Sequence, residues 1–435
     1  MITVIGCDGS ALGGQARDAL ARATLVMGAP RHLAAANLAP ETPTAVLGNV
    51  DEAVCRIAGH AGPASYASYD GPAGPASHAG PAGHAVVLAS GDPGLFGIVR
   101  RLRAAGLAPE VLPAVSSVTL AFARLGLPWD DAVVVSAHGR DPRPALAAAR
   151  AGRKVAVLTS PTCGPRQVGA AVAGWGRTLV VCERLGAPDE RIVRVVPEEA
   201  ARREWRDPNV VLILAAGLAN PHSASNPHPA STPHPGPGAD TEPGWVAGGD
   251  RAPAGWALPD DAFEHRAGML TKVEVRAVAL SRLAPRLGVL VWDVGAGSGS
   301  VAVECARFDA AVVALERDPD EIARIGRNAR THGVTVRAVL GEAPAALEGL
   351  PDPDSVFIGG GGPAVVAACA ARGPARIVVA LAAVERIGPA AEALTQAGYA
   401  ADGVLVHASR LAALPGGAHR LAATNPVALV WGVRE

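Results

Sequence analysis

The chain has 435 residues, 49% apolar and 18% charged, which is too long for one ordinary core and predicts two domains. Its 39 basic and 40 acidic side chains nearly cancel, so the field that would draw it onto nucleic acid or an anionic membrane is missing. The longest apolar run, residues 210–219, is about half the roughly 20 residues of a membrane-spanning helix.

Met1 leads straight into the strand-like Ile2-Thr3-Val4-Ile5 with no basic start or apolar leader, which predicts a cytoplasmic protein. Further β-branched runs follow at Val86–Leu88, Val133–Val135, Val155–Leu158 and Val210–Leu214, each ending near Gly, Ser or Asp. Between the first two, residues 59–83 repeat an Ala-Gly-Pro-Ala unit that cannot bury enough apolar surface to offset ordering, so a disordered insertion is expected there. Residues 219–257 are Pro-rich, with Pro-His pairs at 221–222, 227–228 and 233–234, and read as a linker rather than a metal site. As a coil it would span about 35 Å, so the flanking domains need not touch. The second half continues with strand-like Val289–Trp292, Ala311–Leu315, Val334–Val336, Ser355–Ile358 and Arg376–Val379, separated by helical stretches such as 319–330. This alternation predicts an α/β fold in each half, with mostly parallel, doubly wound sheets, and domains at 1–218 and 258–435. The six cysteines have no C-x-x-C pair, the nearest two being Cys163 and Cys182, and neither disulfides nor a metal site is expected.

The chemistry concentrates at strand ends. Strand 289–292 runs into Asp293-Val294-Gly295-Ala296-Gly297-Ser298-Gly299-Ser300. A dinucleotide fingerprint needs its third glycine where Ser300 stands, so Gly295, Gly297 and Gly299 favour S-adenosylmethionine over NAD. Glu316 ends the next strand, where a carboxylate can take both ribose hydroxyls. Gly341-Glu342-Ala343-Pro344 follows the third, where the adenine of that cofactor is expected.

The lead-in Asp261-Ala262-Phe263-Glu264-His265-Arg266-Ala267-Gly268-Met269-Leu270-Thr271-Lys272-Val273-Glu274-Val275-Arg276, with Val356-Phe357-Ile358-Gly359-Gly360-Gly361-Gly362, closely resembles the precorrin methyltransferases that act at C15 and remove the C12 acetate carboxylate. The resemblance implies a class I methyltransferase fold, cofactor contacts from Thr271 and Ala343, and a macrocycle bordered by Gly359, Gly360, Gly361 and Gly362. The family tends to read Asn-Ala-Val-Thr-Leu-Glu where this chain has Ala380-Leu381-Ala382-Ala383-Val384-Glu385, so no role of that amide or hydroxyl carries over.

In the first half, Val4-Ile5-Gly6-Cys7-Asp8-Gly9-Ser10, Leu88–Gly97, Leu112–Val118 and Val135-Ser136-Ala137-His138-Gly139-Arg140 resemble the tetrapyrrole methylases, in the branch acting at C5. That implies a two-lobed fold with the cofactor in the cleft, contacted by Ser90, Gly91, Asp92, Ser116 and Ser117. His138 and Arg140 would face the carboxylate side chains of a corrinoid. The two resemblances in this order imply a bifunctional enzyme of cobalamin biosynthesis, with one S-adenosylmethionine per domain and no metal. It would convert a precorrin-6-type macrocycle to precorrin-8 and assemble as a homo-oligomer. His265 and His407 are candidate proton donors after decarboxylation. A tandem methylase of another tetrapyrrole and a non-catalytic corrinoid carrier are the alternatives.

Overall fold

The computed structural model describes residues 1–62, 83–218, 255–266 and 270–434. Most of the Ala-Gly-Pro-rich segment, the Pro-His pairs and residues 267–269 of the lead-in therefore lie outside the described residues.

The first lobe is built from β1 (Ile2–Cys7), α1 (Gly14–Ala21), β2 (Leu25–Gly28), α2 (Pro30–Ala35), β3 (Thr44–Val46), α3 (Val50–Ala61), β4 (Ala85–Ser90), α4 (Ile98–Ala104) and β5 (Glu110–Leu112). Its sheet is wholly parallel, in the order β3-β2-β4-β1-β5. The low-complexity boundary expected at Gly59 falls inside α3. Val54, Ile57 and Ala61 recur at helical spacing and are buried, so the helix continues into the Ala/Gly region to complete its apolar face.

The second lobe contains α5 (Ser117–Leu125), β6 (Val133–Ser136), α6 (Arg143–Ala151), β7 (Lys154–Leu158), α7 (Pro165–Val172), β8 (Arg177–Glu183), β9 (Arg191–Val195), α8 (Pro197–Ala200) and β10 (Asn209–Ala215). Here the sheet, β6-β7-β10-β8-β9, is parallel only between β6 and β7, which departs from the largely parallel expectation. The short connection from Glu183 to Arg191 has no room for a helical crossover and forces β8 and β9 antiparallel.

The second half comprises α9 (Val273–Leu283), β11 (Leu290–Val294), α10 (Ser300–Arg307), β12 (Ala311–Glu316), α11 (Pro319–Thr331), β13 (Arg337–Leu340), β14 (Ser355–Ile358), α12 (Pro363–Ala371), β15 (Arg376–Leu381), α13 (Ile387–Gln396), β16 (Ala400–Val406), β17 (Ser409–Ala413), β18 (His419–Ala423) and β19 (Val427–Val433). The seven-stranded sheet runs β13-β12-β11-β14-β15-β19-β16, with β19 antiparallel to both neighbours. The strand expected at 334–336 begins instead at Arg337, because Val334 and Val336 are drawn into apolar packing beside Phe263. Alternating side chains give the sheet two apolar faces. One, through Val291, Val312 and Ala314, is covered by α9, α10 and α11; the other, through Leu290, Trp292 and Val313, is covered by α12 and α13. The halves also touch, as Ala147 and Trp175 of the first half are buried in the layer that holds Trp292.

Candidate active sites

In the second half, the parallel strands deliver their carboxyl ends to one edge, the usual ligand position of an open α/β sheet. Gly295, Gly297 and Gly299 all have positive φ (71°, 51° and 75°), a conformation in which a side chain is strained. The loop lies against the glycine run after β14: a Cβ on Gly295 would stand 3.1 Å from the Gly360 nitrogen, and one on Gly359 2.9 Å from the Gly295 carbonyl oxygen. The Glu316 carboxylate lies across the loop and accepts hydrogen bonds from the backbone N–H of Gly297 (2.8 Å), Arg317 (2.8 Å) and Asp318 (3.1 Å). Gly341 donates to the Glu316 carbonyl (2.9 Å), which brings Ala343 to the same strand edge. Arg386 donates to the Gly361 carbonyl (3.1 Å) and fixes the far side of the glycine run. A carboxylate fixed by backbone N–H groups at a glycine cradle could take the ribose hydroxyls of S-adenosylmethionine.

Asp293, to which the sequence pattern assigns no role, lies in β11 two residues before Gly295. It is buried, its Oδ2 accepts from the Ala302 N–H (2.9 Å) and its Oδ1 has no partner among the described residues. Burial raises its pKa to about 7 against the opposing Ala302 bond, with Glu316 adding to the rise. A raised carboxyl pKa favours the folded state at low pH, and that advantage is lost as pH climbs from near 4 to near 7. Asn keeps the Ala302 bond and cannot ionise, so Asp293→Asn should gain about 1–3 kcal/mol relative to the parent between pH 5 and pH 8. Urea denaturation at both pH values measures this, and a pH-independent difference would refute it.

The lead-in is held by a buried ionic network. Arg276 is fully buried, donates to the Thr271 carbonyl (2.5 Å) and to Glu304 (3.4 Å), and its guanidinium lies 4.7 Å from the centre of the Phe263 ring. Glu274 accepts two bonds from Arg410 (2.9 and 2.8 Å), which also pairs with Asp260 (2.9 Å). Glu274 and Arg276 therefore tie the segment bearing Thr271 to the domain. His265 Nδ1 hydrogen-bonds the Phe263 carbonyl (3.0 Å), whereas His407 is exposed between β16 and β17.

In the first half, a cavity of about 970 Å³ opens at the carboxyl end of the parallel sheet, lined by Gly6, Asp8, Asp92, Ser116 and Trp129 among others. Asp8 braces it, its Oδ2 accepting from the Val115 N–H (3.3 Å) and its Oδ1 from the Ser10 N–H (3.0 Å). Ser116 caps α5 through the Thr119 N–H (3.0 Å), and Gly91 (φ 60°) packs onto Ser116 and Ser117, where a Cβ would lie 3.3 Å from the Ser117 nitrogen. Asp92, Gly91, Ser116 and Ser117 thus come together at this cleft. Ser90 turns aside to Arg31 and His32, both at 2.8 Å. Arg140 stands 5.7 Å from the centre of the Phe96 ring, joining the loop after β6 to the loop after β4; His138 is exposed beside it. Asp8, quoted above only within the first glycine loop, and Trp129 are lining residues to which the sequence pattern assigns no role.

Fold and sites together define a chain of two methyltransferase domains. Residues 8–201 match the model of the tetrapyrrole (corrin/porphyrin) methylases, and residues 261–434 that of the precorrin methyltransferase domain. A precorrin-6Y C(5,15)-methyltransferase (decarboxylating) of Sinorhizobium sp is 38% identical over 378 residues, covering 83% of this chain and 78% of its own. A probable cobalt-precorrin-6B C(15)-methyltransferase (decarboxylating) of Pyrobaculum calidifontis is 42% identical over 151 residues, 32% of this chain and 77% of its own. The crystal structure of the C-terminal domain of a precorrin-6Y C5,15-methyltransferase from Rhodobacter capsulatus is 36% identical, covers 41% of this chain and 98% of its own, and superposes with a TM-score of 0.36. The chain belongs to the family of precorrin-6Y C(5,15)-methyltransferases (decarboxylating).

Proposed function

We propose that this chain methylates a precorrin-6-type macrocycle at C5 and C15 and removes its C12 acetate carboxylate, giving precorrin-8 in cobalamin biosynthesis. The reading assigns C5 to domain 1–218 and C15 with decarboxylation to domain 258–435, joined by 219–257, with one S-adenosylmethionine in each. The observation that carries it is the glycine cradle beneath Glu316, set against the Gly359–Gly362 run that would border the macrocycle.

S-adenosylmethionine, when bound, supplies an electrophilic methyl on sulfur, and transfer is an in-line displacement that forms a C–C bond as the S–C bond breaks. The residues must hold a macrocycle carbon in line and exclude water. Gly359 and Gly295 do this by letting two backbones meet where a side chain would intervene. Arg140 and His138, exposed on the loop after β6 that Arg140 joins to Phe96, suit the carboxylate side chains of the corrinoid. Loss of CO2 leaves an electron pair on the former methylene carbon, which the conjugated macrocycle spreads until one proton restores a methyl group. Of the two candidate donors, His265 is better placed: the Phe263 carbonyl orients its ring on the segment that carries Thr271.

Among the described residues, no helix is long and apolar enough to cross a membrane, and no group of three or more His, Cys, Asp or Glu could hold a metal ion. Six free cysteines support a cytoplasmic, reduced protein. Exposed Leu405, Leu411, Leu414 and Leu421 on and beside the β17–β18 hairpin support a homo-oligomer.

The test is mass spectrometry of the reduced precorrin-6 macrocycle after incubation with the protein and S-adenosylmethionine. Gain of two methyl groups with loss of one CO2 is expected. Tight binding with no mass change would replace the proposal with a corrinoid carrier.

A further inference from the structure

The crossover between β13 and β14 departs from the rest of the C-terminal sheet. These parallel strands flank β12 and β11, so residues 341–354 must pass over the sheet face, yet they contain only the single 3-10 turn Ala345–Leu347. A parallel crossover ordinarily carries a helix, because the sheet face beneath it has to be covered. Here the face over β11 and β12 is completed from the other domain. Ala147 of α6 (1% exposed) and Trp175 (4%) are buried in the same layer as Leu290, Trp292, Val313, Leu347 and Leu350, and Ala151 packs at its margin. The sequence of α6 permits this. Ala145 and Ala149 face the second lobe's own core, whereas Ala147 and Ala151, also four apart but offset by two residues, lie on the opposite side. Alanine on both sides lets one helix serve two cores at close approach. Elsewhere along the contact, a Cβ on Gly288 would stand 3.3 Å from Pro144.

The same layer includes Val339 of β13 and Ala343 and Ala346 of the following turn, the segment expected at the adenine side of the cofactor. We infer that α6, with Trp175, replaces the missing crossover helix of the C-terminal domain and thereby holds the Gly341–Leu350 segment in its cofactor-binding shape. The first domain is then part of the second domain's site, and the linker is not what keeps them together. The cofactor half of this inference rests on the reading of the Glu316 site given above; the docking half does not.

The experiment uses the full chain with a specific protease site placed between residues 219 and 254. After cutting, the halves should co-elute in gel filtration at micromolar concentration, and Ala147→Glu, which buries a charge in the contact, should separate them. Ala151→Glu, at the margin where the lobe's own core is not involved, should do the same and guards against misfolding of the first variant. In uncut protein, the part of S-adenosylmethionine binding that Glu316→Ala removes should weaken about tenfold in either variant, a typical coupling between sites, with the remaining binding unchanged. Cut parent halves that elute apart would overturn the docking, and variants that separate yet keep full Glu316-dependent affinity would overturn the support of the cofactor site. A parent with no Glu316-dependent binding would instead refute the cofactor reading, leaving the docking decided by co-elution alone.

Discussion

Alanine at Gly6 and alanine at Gly295 are expected to split the reaction into its two halves. Gly6 lies in β1 where the strand enters the cleft, and an added Cβ would stand 2.5 Å from the Gly91 carbonyl oxygen and 2.7 Å from the Ala114 nitrogen. Neither backbone atom can yield without moving the β4 or β5 loop, and those loops carry Gly91, Asp92 and Ser116. Gly295 has φ 71° and its Cβ would come within 3.1 Å of the Gly360 nitrogen, so alanine there strains the cradle and pushes it from the Gly359–Gly362 run. Misplacing bound groups by about 1 Å can cost a hundredfold in rate, so each variant should lose at least about that at its own site. Gly6→Ala should then give a product with one added methyl and CO2 lost, and Gly295→Ala one methyl with the carboxylate retained, both read by mass. If either variant removed both methyl groups equally, the assignment of one reaction to each domain would fail.

The glycine cradle was legible because its demand is local: three glycines at alternate positions are three backbone conformations that other residues resist, and all three are found at positive φ. Glu316 was legible for a similar reason, standing at a strand end at a recognisable distance from the loop. Its observed partners, three backbone N–H groups, hold the carboxylate against the loop. The docking of α6 was not legible. The run Arg143–Ala151 is alanine on nearly every apolar position, so no stripe distinguishes the side facing its own lobe from the side facing the other domain. Which side is buried is decided by the absence of a helix some 200 residues later in the chain. Ser90 ends the strand that delivers Gly91, and its hydroxyl hydrogen-bonds Arg31 and His32 of α2, a pairing that the strand pattern does not encode. The mixed sheet of the second lobe likewise depends on pairing between strands, which β-branched runs alone do not encode.

The Thr-Lys-x-Glu-Val-Arg lead-in was recognised as a signature, and its physical reason leads to the largest expected loss of stability. Glu304 is fully buried and satisfied from three sides: Leu258 donates its N–H (2.5 Å), Arg276 its Nε (3.4 Å) and Arg307 its Nη1 (2.8 Å). Burial drives the Arg276 pKa down, and Glu304 is the chief charge acting against that; Asp260, 3.8 Å away, is the weaker partner. Glu304→Ala would leave a buried guanidinium short of its counter-charge and the Leu258 N–H without an acceptor. Breaking a buried pair from one side costs about 3–5 kcal/mol, so unfolding of this domain should shift by that amount in denaturant titrations. The cost belongs to the uncompensated charge more than to the ion pair, and that distinction can be measured. Arg276→Met combined with Glu304→Ala removes both charges and should be less destabilised than Glu304→Ala alone, a coupling read directly from the double-mutant cycle. Additive losses would mean that the two residues contribute through packing and that the charge pairing is incidental. Because the same network fixes the carbonyl of Thr271, Glu304→Ala should also weaken binding at the C-terminal site while leaving the cavity of the first domain intact.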